Sequence, residues 1–359
     1  MRVLVVNAGS SSLKLSVVGP GGETVASESV PVRRGVWDAG ALEAALGRFP
    51  AVEAVGHRVV HGGREFVGPV RLDAGVVGRL RELGDLAPLH QPKSLAGIEA
   101  VQGALPDLPA VACFDTAFHA SIPQEASTYA VPERWRSGFG VRRFGFHGLS
   151  HAYASRRAAQ MTGGARRVVT AHLGAGASLA AVREGRSVDT TMGFTPLEGL
   201  VMATRSGSVD PGMVLWLHQH AGVAVEEIAD ALEHRSGLLA LAGTSDMREV
   251  LERQDADAVL AAGVYVHRLC AGVAAMAASL GGLDVLVFTG GVGEGSSVVR
   301  GRVAQGLGFL GVAVEAGANA GVGEEGEVSA VGASVRTLVV RAREDVEVAR
   351  GVREVLGRG

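Results

Sequence analysis

Val3-Leu4-Val5-Val6-Asn7-Ala8-Gly9-Ser10-Ser11-Ser12-Leu13-Lys14-Leu15-Ser16-Val17-Val18 is the stretch whose reading decides the fold. An apolar run enters Asn-Ala-Gly, hydroxyl residues follow, and alternation resumes at Leu13, which predicts a buried strand, a tight turn and a second strand. Such a turn shows backbone N–H groups and small hydroxyls with no bulky side chain above them, a concavity suited to phosphate. An ordinary hairpin turn explains these residues at least as well, so the rest of the chain has to decide. Val168-Val-Thr-Ala-His172-Leu-Gly174-Ala175-Gly176-Ala-Ser178-Leu-Ala-Ala-Val182 repeats the layout of apolar strand, polar residue, Gly-rich turn and alternating strand. We read an internal duplication. Two similar domains, each opening on a phosphate-type turn, imply a nucleotide held in the cleft between them.

Size and composition agree with two α/β domains. A chain of 359 residues exceeds what one core usually serves, and 47% apolar residues with 52 Gly but only 4% aromatics point to cores of Ala, Val and Leu. The net charge of −3 and the lack of a basic run argue against nucleic acid or an acidic membrane as main partner. Cys113 and Cys270 have no metal-ligand spacing and read as buried small hydrophobes in a reducing compartment. No basic segment precedes an apolar one at the N-terminus, so no signal peptide is read and the expectation is cytoplasmic. The apolar stretch Leu269 to Leu283, about fifteen residues, is too short to span a bilayer and reads as a buried helix. Lys occurs only at Lys14 and Lys93, which draws attention to Lys14 in the opening hairpin.

Several motifs fall where strands end, the places at which α/β proteins hold ligands. Gly56-His57-Arg58-Val59-Val60-His61-Gly62-Gly63 sets an Arg beside a Gly pair that allows close approach to the backbone. Asp115 follows the apolar strand Val111 to Phe114 and suits either a metal or proton-accepting role or a helix cap. Phe144-Gly145-Phe146-His147-Gly148 places a His on a constrained loop. Arg205 lies among Thr204, Ser206 and Gly207, surroundings that suit an anion, since guanidinium meets phosphate or carboxylate oxygens two at a time. Ser245 or Asp246 reads as a helix cap. Val285 to Phe288 runs into Thr289-Gly290-Gly291-Val292-Gly293-Glu294-Gly295, a strand, Gly-rich turn and helix start of the kind that contacts nucleotide phosphates or ribose. The pattern breaks at Thr162-Gly163-Gly164 just before the repeated motif, and we expect an N-terminal domain, 1–150, and a second, 151–342.

With these motifs the chain resembles the acetate kinase family, the acyl-phosphate-forming kinases of acetate and propionate type. The matching segments are Asn7 to Lys14, His57 to Gly63, Leu86 to His90, Phe114 to His119, Phe144 to Gly148, Thr195 to Gly199, Thr204 to Gly207, Ser245 to Arg248 and Phe288 to Glu294, in family order over nearly the whole length. The resemblance implies the sugar-kinase, actin and chaperone-ATPase (ribonuclease H-like) fold, with duplicated α/β domains of mixed five-stranded sheets. It also implies a C-terminal helix, about 343–359, packing back on the first domain, and a homodimer through the second. Carried over by position, Arg58 and Arg205 bind the carboxylate and the phosphoryl group in flight, His147 stabilises that group, and Asp115 positions substrate and metal. Asn7 and Glu344 would serve Mg²⁺. Asn7, Ser10, Ser12 and Lys14 would reach the terminal phosphates of ATP. His172, Gly174 and Gly176 fall on a phosphate loop, and Asp246, Met247, Arg248, Gly291 and Gly293 on the adenosine side. Val60, Leu89, Phe146 and Pro196 line up with the pocket for the acyl methyl group.

The implied activity is reversible, Mg²⁺-dependent phosphoryl transfer from ATP to acetate. Propionate, another short acid or another phosphoryl donor are variants of it. Ala175 stands where the family usually has Asn, Gly295 where Asn is common, and Ala342-Arg343 where Thr-Asn is usual, all toward the nucleotide. Gln91-Pro92-Lys93-Ser94 replaces Asn-Pro-Pro-Asn. A nucleotide-binding sensor or scaffold without turnover is the competing class, motivated by Ala175 and Gly295.

Overall fold

The computed structural model describes residues 1–9, 12–33, 36–86 and 91–357. Ser10 and Leu89 lie outside the described residues. By its contacts the chain divides into two units: Met1–Ala120, Phe146–Tyr153 and Arg343–Gly359 form the first, Ser121–Gly145 and Ala154–Ala342 the second. A single boundary near residue 150 therefore does not describe the path, because the chain leaves the first unit at Ser121 and returns to it for eight residues at Phe146.

The first unit is built on a sheet of β1 (Val3–Ala8), β2 (Ser12–Val18), β3 (Thr24–Arg33), β4 (Val36–Trp37), β5 (Ala54–Val59), β6 (Val70–Arg71) and β7 (Ala110–Phe114). Its order is β4-β3-β2-β1-β5-β7-β6. β1 pairs antiparallel with β2 and parallel with β5, which runs parallel to β7. A central strand covered on both faces must be apolar on both. In β1, Leu4 and Val6 face one core with Val55, Val59 and Ile98, while Val3 and Val5 face the other with Val348 and Val352. The second core lies under the C-terminal helix Glu344–Val355, which settles closely because glycines meet it: a Cβ on Gly56 would be 2.6 Å from Val348 Cγ1, and one on Gly351 2.9 Å from Pro69 Cγ.

The second unit repeats the plan with β8 (Arg167–Leu173), β9 (Ala177–Arg183), β10 (Arg186–Thr190), β11 (Val285–Thr289), β12 (Gly326–Glu327) and β13 (Arg336–Val339), in the order β10-β9-β8-β11-β13-β12. The first three strands form an antiparallel meander, β8, β11 and β13 run parallel, and β12 closes the edge antiparallel to β13. Strand for strand this is β3-β2-β1-β5-β7-β6. The resemblance led us to expect five-stranded sheets. Five strands are the shared frame, and the additional edge strands β4, β6 and β12 are two residues each, too short to leave a periodic signature.

The helix Ala256–Leu280 is 25 residues long, as the Ala-rich sequence from about Asp257 to Leu280 leads one to expect, and by length and composition it could cross a membrane. Its buried positions, including Ala258, Ala262, Tyr265, Leu269, Val273, Met276 and Leu280, recur every three or four residues and lie against β8, β9 and neighbouring helices. That is the pattern of a core helix. Cys113 is buried, and burial pushes its thiol up to about 12. Cys270, expected to be buried, is half-buried with its Sγ 3.7 Å from the Val303 carbonyl.

Candidate active site

In the first unit the parallel strands β1, β5 and β7 end side by side and bring Asn7, Arg58 and Asp115 together. Asn7 and Arg58 are register partners, and Asp115 follows β7 directly. Arg58 is the hub. Its Nε donates to Asp115 Oδ1 at 3.0 Å and its Nη2 to Oδ2 at 2.7 Å. Its Nη1 reaches Asn7 Oδ1 at 3.4 Å and lies 3.7 Å from Glu344 Oε2, at the first residue of the C-terminal helix. Burial raises the Asp115 carboxyl above its ordinary value, with Arg58 pulling the other way. The Arg58 guanidinium sits among these acids with its pKa raised, their attraction outweighing its burial.

His147 enters the same neighbourhood on a backbone that no ordinary loop adopts. Its φ is +55°, in the left-handed region that disfavours a bulky side chain. Three bonds hold it there: Gly148 N–H donates to the Asp115 carbonyl at 2.8 Å, His151 N–H to the His147 carbonyl at 2.9 Å, and His119 Nε2 to the Phe146 carbonyl at 3.0 Å. Gly148 has to be glycine, since a Cβ would run into the Asp115 carbonyl. Phe146 is buried with its ring edge-on to His61, centroids 5.5 Å apart, while Val60 is half-buried. Lys14 is exposed on β2 opposite Asn7, and Ser12 is the first residue of that strand.

The second unit carries a cavity of about 830 Å³. Of the residues singled out in the sequence, Gly174, Ala175, Ser245, Asp246, Met247, Arg248, Gly291 and Gly295 line it. His172, Gly176 and Gly293 do not. A Cβ on Gly293 would sit 3.6 Å from Leu173 Cβ and 3.5 Å from the Phe288 carbonyl carbon, ordinary contact distances against β8 and β11. Gly174 closes the loop after β8 by donating to the Gly176 carbonyl at 3.0 Å. Asp246 caps the helix Met247–Glu252, accepting from Arg248 N–H at 2.9 Å, and the Arg248 guanidinium at 2.5 Å holds its carboxyl down at about 2. Met247 is buried and Arg248 exposed. Tyr265 and Leu238 also line the cavity, and nothing in their helical, apolar context singled them out.

Arg205 also belongs to the second unit. Its Nη1 donates to the Pro196 carbonyl at 3.4 Å, and its nearest acid is Glu233, 3.9 Å from Nε. Burial pulls its pKa down and Glu233 only partly restores it. A half-buried cation so weakly compensated favours an arriving anion. Gly207, with φ +71°, permits the turn that follows, because a Cβ would meet the Leu200 and Gly199 carbonyls.

The model of the acetokinase family matches residues 42–350. The chain belongs to the acetokinase family. It is 47% identical to the acetate kinase of Deinococcus deserti, over 99% of this chain and 98% of that one. A crystal structure of Porphyromonas gingivalis acetate kinase superposes with a TM-score of 0.90 at 34% identity, covering 99% of both chains. One of a propionate kinase from Francisella tularensis gives 0.89 at 34% identity over 98% of each. The fold is therefore that of these kinases, two duplicated α/β domains of the actin and sugar-kinase type, and the chemistry is carboxyl-group phosphoryl transfer.

In this chain a further charged group lies where the sequence showed only the motif Thr195 to Gly199. Arg143, Glu198 and Tyr129 bond to one another beside the Pro196 loop. Glu198 stood inside a quoted motif without a role. Arg143 and Tyr129 had no signal, since their partners are more than forty residues away in sequence.

Proposed function

We propose that the protein catalyses reversible transfer of the γ-phosphoryl group of ATP to acetate, giving acetyl phosphate and ADP by direct in-line displacement. The observation that carries this reading is Arg58, bonded to Asp115 and Asn7 and close to Glu344 at the ends of three adjacent strands. A carboxylate is already ionised at neutral pH, so the acceptor needs no strong base. Its oxygen forms the new bond to phosphorus as the bond from phosphorus to the β–γ bridging oxygen breaks, and ADP leaves with that electron pair. The difficulty is bringing two anions together, and the protein's contribution is charge neutralisation and alignment. Arg58 and Arg205 take the carboxylate and the phosphoryl oxygens, His147 stabilises the group in flight, and Asp115 positions Arg58.

The donors near Arg58 are carboxylate and amide oxygens, the kind a hard cation takes. Among the described residues no group of three His, Cys, Asp or Glu could hold an ion alone. Mg²⁺ commonly uses one or two carboxylates and completes its shell with substrate phosphates and water. Asn7 and Glu344 would hold it, and it would supply further charge neutralisation at the phosphates. Asn7, Ser10, Ser12, Lys14, His172, Gly174 and Gly176 would serve the phosphates, and Asp246, Met247, Arg248, Gly291 and Gly293 the adenosine. Val60, Leu89, Phe146 and Pro196 would form the acyl pocket. Incubation with ATP, Mg²⁺, millimolar acetate and hydroxylamine should yield acetohydroxamate. ATP binding without product from acetate, propionate or butyrate would favour the sensor reading.

Propionate is the nearest alternative acceptor, favoured by the likeness to the Francisella propionate kinase. Parallel kinetics with acetate, propionate and butyrate decide between them. We also read the protein as a cytoplasmic homodimer. Support for the dimer comes from the helix Pro211–Gln219, which has no buried residue and exposes Met213, Leu215 and Trp216. Light scattering should give twice the chain mass, and a monomer at micromolar concentration would refute it.

A further inference from the structure

We propose that Arg143, Glu198 and Tyr129 form a clamp that sets the loop Gly193–Gly199, and through the Pro196 carbonyl the Arg205 guanidinium, so that all three are positioning residues for phosphoryl transfer. The proposal rests on the reading that Arg205 binds the reacting anions and Pro196 the acyl group.

The loop follows β10 and has no regular secondary structure to hold it. Its shape comes instead from side chains. Arg143 Nη1 donates to the Thr190, Thr191 and Met192 carbonyls, each at 3.1 Å, gathering the chain as it leaves β10. Its Nη2 donates to Glu198 Oε1 at 2.7 Å, with only 16% of the Arg143 side chain exposed. The other Glu198 oxygen accepts from the Tyr129 hydroxyl, and the Tyr129 oxygen in turn accepts from Phe194 N–H at 3.0 Å. Both arms of the loop, Phe194 and Glu198, are thereby tied to one part-buried pair. The Arg143 guanidinium also lies over the Tyr129 ring, 5.5 Å from its centroid.

Gly193 shows how little slack the clamp has. A Cβ there would run into both the Glu198 carboxylate and the Tyr129 hydroxyl. The Gly193 carbonyl accepts from Phe144 N–H at 3.0 Å and Gly145 N–H at 3.2 Å, so the backbone leading into Phe146-His147 is fastened to the same loop. Burial and the Glu198 contact hold the Tyr129 hydroxyl protonated well above its ordinary range, so it remains a donor across the working pH range. The loop then presents the Pro196 carbonyl to Arg205 Nη1 at 3.4 Å. Among the described residues the acid nearest the Arg205 side chain is Glu233, 3.9 Å from Nε. This carbonyl is its fixed support.

The test uses the full-length protein and the substitutions Tyr129→Phe and Glu198→Gln, which keep volume while removing a hydroxyl or a charge. Both should lower kcat for acetate about ten- to a hundredfold, since small misplacements of reacting groups cost on that order. The KM for ATP should stay within about twofold, because the nucleotide residues lie elsewhere. The relative use of acetate and propionate should shift with the loop. Arg143→Lys should recover part of the Arg143→Ala loss, as a point charge keeps Glu198 but cannot also bond three carbonyls. Wild-type kcat in a folded Tyr129→Phe and Glu198→Gln pair, or equal losses against every acid with KM for ATP raised to match, would overturn the proposal. Arg205→Ala run alongside separates the two readings. If it retains acetyl phosphate formation, the role given to Arg205 falls, and if it abolishes turnover while the clamp variants stay normal, only the clamp falls.

Discussion

The two units share one strand plan and differ in what they place at the strand ends. In the first, β1, β5 and β7 end in Asn7, Arg58 and Asp115, and these groups are already bonded to one another. In the second, β8 and β11 end in glycine turns beside an open cavity, and the cation of that unit, Arg205, has its nearest acid at 3.9 Å. The comparison teaches that a duplicated frame can be specialised twice. One copy is stabilised by its own functional charges, whereas the other keeps space and an undercompensated cation for an anion that must arrive.

The largest contrast should come from removing charge on each side. Arg205→Ala should lower kcat by about 10²–10³, as for loss of one transition-state donor. Its Tm should move by no more than about 3 °C, because little in the free protein depends on it. Asp115→Ala should also impair turnover, but it leaves Arg58 buried without its strongest partner, a change that costs about 3–5 kcal/mol of stability. Steady-state rates and thermal melts on both variants check this, and a Tm loss for Arg205→Ala equal to that of Asp115→Ala would erase the distinction.

A smaller effect is expected at the cavity. A Cβ on Gly291 meets nothing within 4 Å, so a side chain there has room in the cavity proposed for the nucleotide, and Gly291→Val would narrow it. The KM for ATP should rise about tenfold, the scale of a few lost or blocked contacts at 1.4 kcal/mol per decade. The KM for acetate should not move. An unchanged KM for ATP would place the nucleotide elsewhere.

A last effect concerns stability and pH in the first unit. Burial depresses His57 to about 3 and His61 to about 4, and the His61 Nδ1 accepts from Gly63 N–H at 2.8 Å, which requires the neutral ring. With the folded pKa below the unfolded value, these histidines favour the folded state fully above pH about 6.5 and lose that contribution as pH falls toward 4 and then 3. Each steepens the loss by about 1.4 kcal/mol per pH unit across its window. His57→Leu should therefore flatten the decline of Tm between pH 6.5 and 4.5, and a slope equal to that of the native protein would count against this assignment.

Much of this architecture was legible beforehand where a residue's role depends on its neighbours along the chain. The apolar alternation around Asn7 and its echo at His172 announced the two sheets, and Asp115 was placed at a strand end by the run before it. The seven- and six-stranded sheets were not legible, since β4, β6 and β12 form only because a longer strand already offers an open edge. Nor was the excursion of Ser121–Gly145 into the second unit, which is set by contacts such as Ser121 Oγ donating to the Ser187 carbonyl at 2.8 Å. The motif between Thr195 and Gly199 was visible, while the reason for its Glu198 was not.

By itself, then, the sequence determined the local chemistry: glycine turns that bare their N–H groups, an Arg and an Asp delivered at strand ends, a His on a loop between glycines. Each of these follows from period, turn composition and the steric freedom of glycine, all properties of short segments. Tertiary structure alone decided which charges would be satisfied. Arg58 meets Asp115 across 57 residues and Glu344 across almost the whole chain, Arg143 meets Glu198 across 55, and Arg205 is left with only a distant acid. Electrostatic energy depends on distance and burial in space, and neither is a property of position along the chain.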